Sequence, residues 1–334
     1  LGYRVGSGPL LVPENTFTVV DDSGKYVEVP RPVRSLAVLH SDAGEILCAL
    51  GAENLVVGAS DSVKTKLVPR FDNVAGVGKE AHKPNYEKIV ELRPDVVITY
   101  SGSTGSEEQL RSRLEPLGIR VLCLDAYKLE LIPKDIRLLG LMLGREERAE
   151  EYAKFFENLV GLIENRVSGL PAENRVRVYW EGRQDYRTAS YGTMVHSIIT
   201  AAGGLNLAAG EPTLYPSVSP EWVVKKDPDV IIKTVGSSVL SGGGRGLTDP
   251  GPLQQVREAL LNRPGWSELR AVKENRVYVV SWDLLGGGSQ AVALCYAARW
   301  FYPSLFQDLD PLPLHRQLVE NFWGLEYRGV FTYP

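Results

Sequence analysis

The sequence predicts an α/β protein: two similar Rossmann-like lobes with mostly parallel sheets, joined by one long α-helix. Three observations carry this. Short apolar runs of strand length alternate with amphipathic helical segments along the chain, and near-continuous apolar strands belong to parallel sheets covered on both faces. Two segments of the first half recur, in the same order, in the second. Between the halves, Arg145 to Leu170 reads as a single helix. Its apolar residues Ala149, Tyr152, Ala153, Phe156, Leu159, Val160, Ile163 and Val167 follow i, i+3, i+4, i+7 spacing. Glu146, Glu147, Glu150 and Glu151 complement the dipole at its start, and Gly169 and Pro171 mark its stop. Glu146 to Ser168 would span about 35 Å at 1.5 Å per residue, the length of a strut between lobes. The expected division is a lead-in over 1–15, a first lobe over 16–144, the linker helix over 145–170, a second lobe over 171–310, and a C-terminal helix and tail over 311–334.

Taken in order, Thr16 to Val29 alternates around Asp22-Ser23-Gly24 and predicts a hairpin. RSLAVL (34–39) is the first buried strand, followed by a helix over 43–50 that Gly51 stops and a strand over 55–58. A short helix over 85–92 leads into the strand 95–99, a helix over 107–117 into the strand 119–125, and a helix over 132–143 into the strut. The second half reads as strand 176–180, helix 193–202, helix 220–226, strand 229–234, helix 254–261, strand 276–281, helix 290–300 and a last helix 314–323.

The repeat aligns PNYEKIVELRPDVVI (84–98) with VSPEWVVKKDPDVII (218–232), and EILCALGAENL (45–55) with HSIITAAGGLNL (196–207). With only two copies this implies duplicated lobes rather than a solenoid. Asn85 and Ser219 suit helix N-caps and Pro220 the first helical position. Glu87 and Glu221 then occupy equivalent first turns, where a carboxylate favours the dipole. A well-started helix explains a carboxylate there, although Asp or Ser would serve as well and both halves keep Glu.

Composition narrows the function. The 334 residues suit two domains, and a 44% apolar fraction suits packed cores. The net charge of −4 carries no basic footprint for nucleic acid. Cys48, Cys123 and Cys295 are odd in number and scattered, which reads as small buried hydrophobes. The four histidines, His40, His82, His196 and His315, lack metal-ligand spacing, so no metal site and no cofactor is expected. SGGGRG (241–246) and LGGGSQ (285–290) match no nucleotide fingerprint; the second precedes a helix, whose N–H groups suit an anion, but a plain loop explains it. No catalytic constellation is present. The chain begins without Met or a signal peptide, which suggests a trimmed mature form.

In parallel sheets ligands sit beyond the carboxyl ends of strands. That rule nominates His40, Tyr100 and Tyr127 in the first lobe, and Trp180, Arg183, Tyr186, Arg187, Tyr191, Arg245 and Trp282 in the second, with Tyr215 before a repeat helix. YWEGRQDYRTASY (179–191) is the richest stretch, combining aromatic faces with two arginines.

Together, VVDDSGKYVEVPRPVRSLAVL, ALGAENLVVGAS, NYEKIVELRPDVVI, LGIRVLCLD, MVHSIITAAGGLNLA, VSPEWVVKKDPDVII and PGWSELRAVKENRVYVVS resemble the single-helix-linked class of solute-binding proteins of ABC importers, over nearly the whole chain. The resemblance implies a ligand in the cleft between the lobes: a ferric siderophore, haem or a corrinoid, with aromatics against its flat parts and arginines against its carboxylates or metal-bound oxygens. It implies no enzymatic activity, a monomer outside the cytoplasmic membrane or lipid-anchored on its outer face, and a permease dimer as partner. It assigns Glu87 and Glu221 to salt bridges with permease arginines. The alternatives are the same fold binding an oxyanion such as molybdate, for which the aromatics are too bulky, and a two-domain α/β enzyme of glycosyltransferase or dehydrogenase type.

Overall fold

The computed structural model describes residues 16–67, 69–102, 106–236, 238–240 and 242–334; the expected lead-in, 1–15, lies outside the described residues. Strands β1 (Thr16–Val20) and β2 (Tyr26–Pro30) form the hairpin, paired from Thr16↔Pro30 to Val20↔Tyr26. The turn forms because Asp21 Oδ1 accepts the backbone N–H groups of Ser23 (3.0 Å) and Lys25 (3.1 Å). The first lobe follows as β3 (Leu36–Val38), α1 (Ser41–Ala49), β4 (Val56–Ala59), α2 (Asp61–Lys66), β5 (Ala75–Gly76), α3 (Tyr86–Leu92), β6 (Val96–Thr99), α4 (Ser106–Leu114), β7 (Arg120–Cys123) and α5 (Ile132–Leu143). After α6 (Glu146–Val167), the second lobe runs β8 (Arg177–Glu181), α7 (Met194–Ala201), β9 (Leu205–Asn206), α8 (Pro220–Lys226), β10 (Val230–Val235), α9 (Gly251–Leu261), α10 (Arg270–Lys273), β11 (Val277–Ser281), α11 (Ser289–Phe301), α12 (Pro311–Gln317) and β12 (Thr332–Tyr333).

The first sheet has the order β5-β4-β3-β6-β7 and is parallel throughout. The second has the order β12-β11-β10-β8-β9, with β12 alone antiparallel. Four strands of each correspond, β4-β3-β6-β7 to β9-β8-β10-β11, while β5 and β12 extend opposite edges. The aligned segments thus occupy equivalent places, α3–β6 and α8–β10 for one pair, α1–β4 and α7–β9 for the other. Residues Val96–Thr99 and Val230–Val235 are buried throughout, as sheets covered on both faces require.

Helix α6 buries Ala149, Tyr152, Ala153, Phe156, Leu159, Ile163 and Val167. That stripe packs on α5 and α1 of the first lobe and on α11 and α7 of the second, inside one apolar cluster that runs through both lobes. The C-terminal segment differs from the single helix expected over 314–323. Helix α12 gives way to a π turn at Leu318–Phe322, and the chain then returns to pair β12 with β11. On the way it is tied to the first lobe, where Arg70 donates to the carbonyls of Trp323 (3.1 Å) and Gly324 (2.7 Å). Phe322 packs on Tyr152 of α6.

Candidate ligand-binding cleft

In each lobe the strand order reverses beside the first strand, so the carboxyl ends of β3/β6 and β8/β10 are the topological switch points where crevices open. Two adjoining cavities lie there and share Arg183 and Trp282. One, of 560 Å³, is lined by the second lobe, chiefly Trp180, Arg183, Arg187, Tyr215, Thr234 and Trp282. The other, of 460 Å³, is walled by both lobes: His40, Lys66, Lys79 and Tyr100 from the first, Arg183 and Asp283 from the second. A further groove of 590 Å³ runs between α5, α6 and α7, lined by Phe156, Glu157, Gly161 and Glu164; it is not at the strand ends and presents three glutamates, Glu130 included, of which Glu157 is paired with Arg137 at 2.6 Å.

The first-lobe wall is built by the end of β3. His40 caps α1, its Nδ1 accepting the N–H of Ala43 at 3.3 Å. Its ring stacks on Tyr100 with centroids 3.9 Å apart. Burial lowers its pKa to about 4, so the imidazole is neutral near pH 7. Tyr100 donates its hydroxyl to Asp42 Oδ2 at 2.7 Å, and burial, then Asp42, holds that hydroxyl well above its usual range. Tyr127 sits edge-on to Tyr100, and burial, then the charge of Asp125, raises its hydroxyl pKa, although it lines neither cavity.

The second-lobe wall is built by the loop after β8. Trp180 is buried and donates Nε1 to Thr234 Oγ1 at 2.8 Å. Glu181, also buried, accepts the backbone N–H of Tyr186 at 2.9 Å, and Thr188 donates its hydroxyl to the Trp180 carbonyl at 2.7 Å. These bonds fold residues 182–187 back so that Arg183 and Arg187 reach the cavity. Arg183 lies over the Trp282 ring at 4.9 Å; Gly236 leaves room for it, since a Cβ there would meet Arg183 Cδ at 2.8 Å. Arg187 donates to Gln184 Oε1 at 3.0 Å. Among the described residues neither arginine has a carboxylate within 4.0 Å.

Besides Tyr127, three nominated residues lie away from both cavities. Tyr186 takes a positive φ of 57° and turns to the outer side of the sheet, between Trp266 and Arg263. Tyr191 is 74% exposed, edge-on to His196, and lines neither cavity. Arg245 sits in a one-turn helix, Gly244–Gly246, against the C-terminal tail near Arg328 and Glu326. The sequence reading missed Asp61, Ser62, Thr65 and Lys66 of α2, the Lys79–Ala81 turn, Ser238 and Asp283. Helix α2 follows the carboxyl end of β4 directly, so the strand-end rule would have found it had Asp61–Lys66 been read as a helix. His82 is exposed and pairs with Glu80 at 3.0 Å.

Glu87 and Glu221 are exposed in the first turns of α3 and α8, which Asn85 and Ser219 cap by accepting from Lys88 and Trp222, each at 3.1 Å. Its own backbone N–H and Ser219 hold the Glu221 carboxyl below the usual range. Among the described residues no group of three or more His, Cys, Asp or Glu could hold a metal ion.

Comparison with known proteins agrees with this geometry. A family model described as periplasmic binding protein matches residues 36–283. An ABC transporter substrate-binding lipoprotein of Bacillus subtilis is 26% identical over 297 residues, covering 87% of each chain. A vitamin B12-binding protein of Salmonella paratyphi A is 32% identical over 148 residues, 44% of this chain and 54% of that protein. The structure of a TroA-like periplasmic binding protein, FepB, from Veillonella parvula superimposes with a TM-score of 0.81 at 24% identity, covering 95% of this chain and 99% of that one.

Proposed function

The chain belongs to the periplasmic binding protein family, and on that premise we propose that it is the extracytoplasmic substrate-binding component of an ABC importer. It takes an iron chelate, or a related metal-organic ligand such as haem or a corrinoid, into the interlobe cleft and hands it to a permease dimer in the membrane. The observation that carries this reading is the pair Arg183 and Arg187, without carboxylate partners among the described residues and set beside Trp180, Trp282 and Tyr215. Cations left unpaired in a half-enclosed aromatic cavity suit a bulky ligand with a flat apolar body and anionic edges. The ligand replaces the water on the guanidinium groups with charge-assisted hydrogen bonds. Glu87 and Glu221, one exposed carboxylate per lobe in equivalent helices, serve as the contacts to permease arginines; such pairs orient the complex more than they supply affinity. The protein works as a monomer with no chemical step.

The test is the absorption spectrum and mass of whatever copurifies, followed by thermal melting against ferric siderophores, haem, corrinoids and molybdate. A ligand at a hundredfold excess over its Kd stabilises by about 2.7 kcal/mol. Arg183→Ala and Arg187→Ala should each abolish most of that shift. No shift with any chelate, or a shift with molybdate alone, would overturn the reading.

A further inference from the structure

The glycine-rich run before α11 is in contact with the other lobe. Gly287 takes a positive φ of 54°, and a Cβ there would meet Glu45 Oε2 at 2.6 Å. Ser289, the first residue of α11, donates its backbone N–H and its hydroxyl to the Glu45 carboxylate at 3.3 Å. Glu45 belongs to α1 of the first lobe, 244 residues away, and is fully buried. The group at this helix N-terminus is therefore a carboxyl side chain from the opposite lobe. Gln290 adds a second strut, donating Nε2 to the carbonyl of Tyr127 at 3.1 Å. Lys66, which lines the cleft, is ion-paired with Glu45. Any motion that parts the lobes at the cleft floor must break these contacts and admit water to the carboxylate.

We propose that Glu45 is a positioning residue that latches α11 of the second lobe onto the first, and that its protonation sets how readily the lobes part at the cleft floor. The groups facing it are Lys66 from α2, Asp42 and Cys48 from α1 and Tyr152 from α6; Asp283 from the segment after β11 and His315 of α12 lie near Lys66. Lys66 is held above its usual range while Glu45 is ionised: burial lowers its pKa, and the charges of Glu45 and Asp42 outweigh that burial. Burial keeps the Tyr152 hydroxyl and the Cys48 thiol protonated, and His315, lowered to about 3, neutral. The Glu45 carboxyl is pushed up to about 7, by burial first, with Asp42 reinforcing and Lys66 and the Ser289 N–H opposing. Once solvated it returns toward 4.5. The latched form has the higher pKa, so latching takes up a proton. Its advantage is complete below about 4.5, declines as pH rises to about 7, and is absent above. Acid tightens the latch and alkali loosens it.

The experiment is hydrogen exchange of the amides over 286–292 in the full chain without ligand, so its outcome is independent of the ligand reading. Rates are expressed as protection relative to the free peptide at the same pH. In the wild type, protection should fall at least about tenfold between pH 5 and pH 8. Glu45→Gln, the neutral isostere of the protonated form, should show equal protection at both. Ser289→Ala, which removes one donor, should lower protection at both. Equal protection of the wild type at the two pH values, the same pH dependence in Glu45→Gln, or no effect of Ser289→Ala would each overturn the proposal.

Discussion

Glu181 offers a quantitative test of how the cleft is held. It ends β8, is fully buried, and accepts from Lys233 Nζ (2.7 Å), Arg263 Nη1 (2.8 Å) and Nη2 (3.0 Å), Tyr179 Oη (2.9 Å) and the Tyr186 N–H (2.9 Å). Glu181→Gln keeps the volume and removes the charge. Lys233, whose side chain is 6% exposed, then keeps, among the described residues, only Asp185, whose side chain is 69% exposed, as its carboxylate partner at 2.9 Å. Breaking a buried pair costs about 3–5 kcal/mol; because Asp185 remains, the lower end, about 3 kcal/mol, is expected. At about 2 °C per kcal/mol this lowers Tm by about 6 °C. Urea unfolding followed by tryptophan fluorescence would measure the loss. Adding Lys233→Met should recover at least about 1 kcal/mol, since the stranded ammonium is then gone. The same carboxylate holds the backbone of Tyr186, between Arg183 and Arg187, so ligand affinity should fall together with stability. A loss below about 1 kcal/mol, or a double variant no better than the single, would refute the argument.

Three further outcomes are expected. Glu87→Ala and Glu221→Ala should each change stability by less than about 0.5 kcal/mol and leave ligand affinity intact, while lowering ligand-stimulated ATP hydrolysis by the cognate transporter; lost ligand affinity would contradict the docking role. Gly161→Ala, in α6 with nothing within 4 Å of its new Cβ, should stabilise by about 0.5–1 kcal/mol, whereas Gly288→Ala would drive its Cβ onto the hydroxyl of fully buried Tyr152 and should destabilise in the same melting assay. Asp135 is buried, and burial, then the charge of Asp22, raises its pKa to about 8. The folded state therefore holds a proton that the unfolded state releases near 3.8, and this stabilisation is lost as pH rises to about 8. Urea midpoints between pH 5 and 8 should fall less steeply in Asp135→Asn than in the wild type; parallel curves would exclude the effect.

The parts of the fold legible in the sequence are those written in local patterns. The period of Ala149, Tyr152, Phe156, Leu159 and Ile163 marks both the existence of α6 and its buried face. Asn85, Ser219 and Pro220 mark helix starts through their own hydrogen-bonding chemistry. The alignment of 84–98 with 218–232 anticipates the shared strand order. The two-residue strands β5, β9 and β12 were invisible, because strands so short carry no periodicity and exist only through their partners. In the cleft, seven of the eleven residues nominated from the sequence line the two cavities, and Tyr127, Tyr186, Tyr191 and Arg245 do not. Within five residues, Arg183 and Arg187 face the cavity while Tyr186 faces outward, a choice made by a positive φ and by Glu181 beneath the loop. LGGGSQ carried an anion-site signal, and only the folded chain shows Glu45 answering it.

What the sequence determined by itself is the class of protein: two repeated α/β lobes, a helical connector, and an exposed glutamate at the same place in each lobe. These follow from hydrophobic period and capping, which act over a few residues. What only the tertiary structure decided is which groups meet: Arg183 over Trp282, Glu45 against Ser289, Arg70 on the carbonyls of the C-terminal tail. Those contacts join residues about 100 to 250 positions apart. Their partners are chosen by strand order and lobe packing, and no local pattern encodes either.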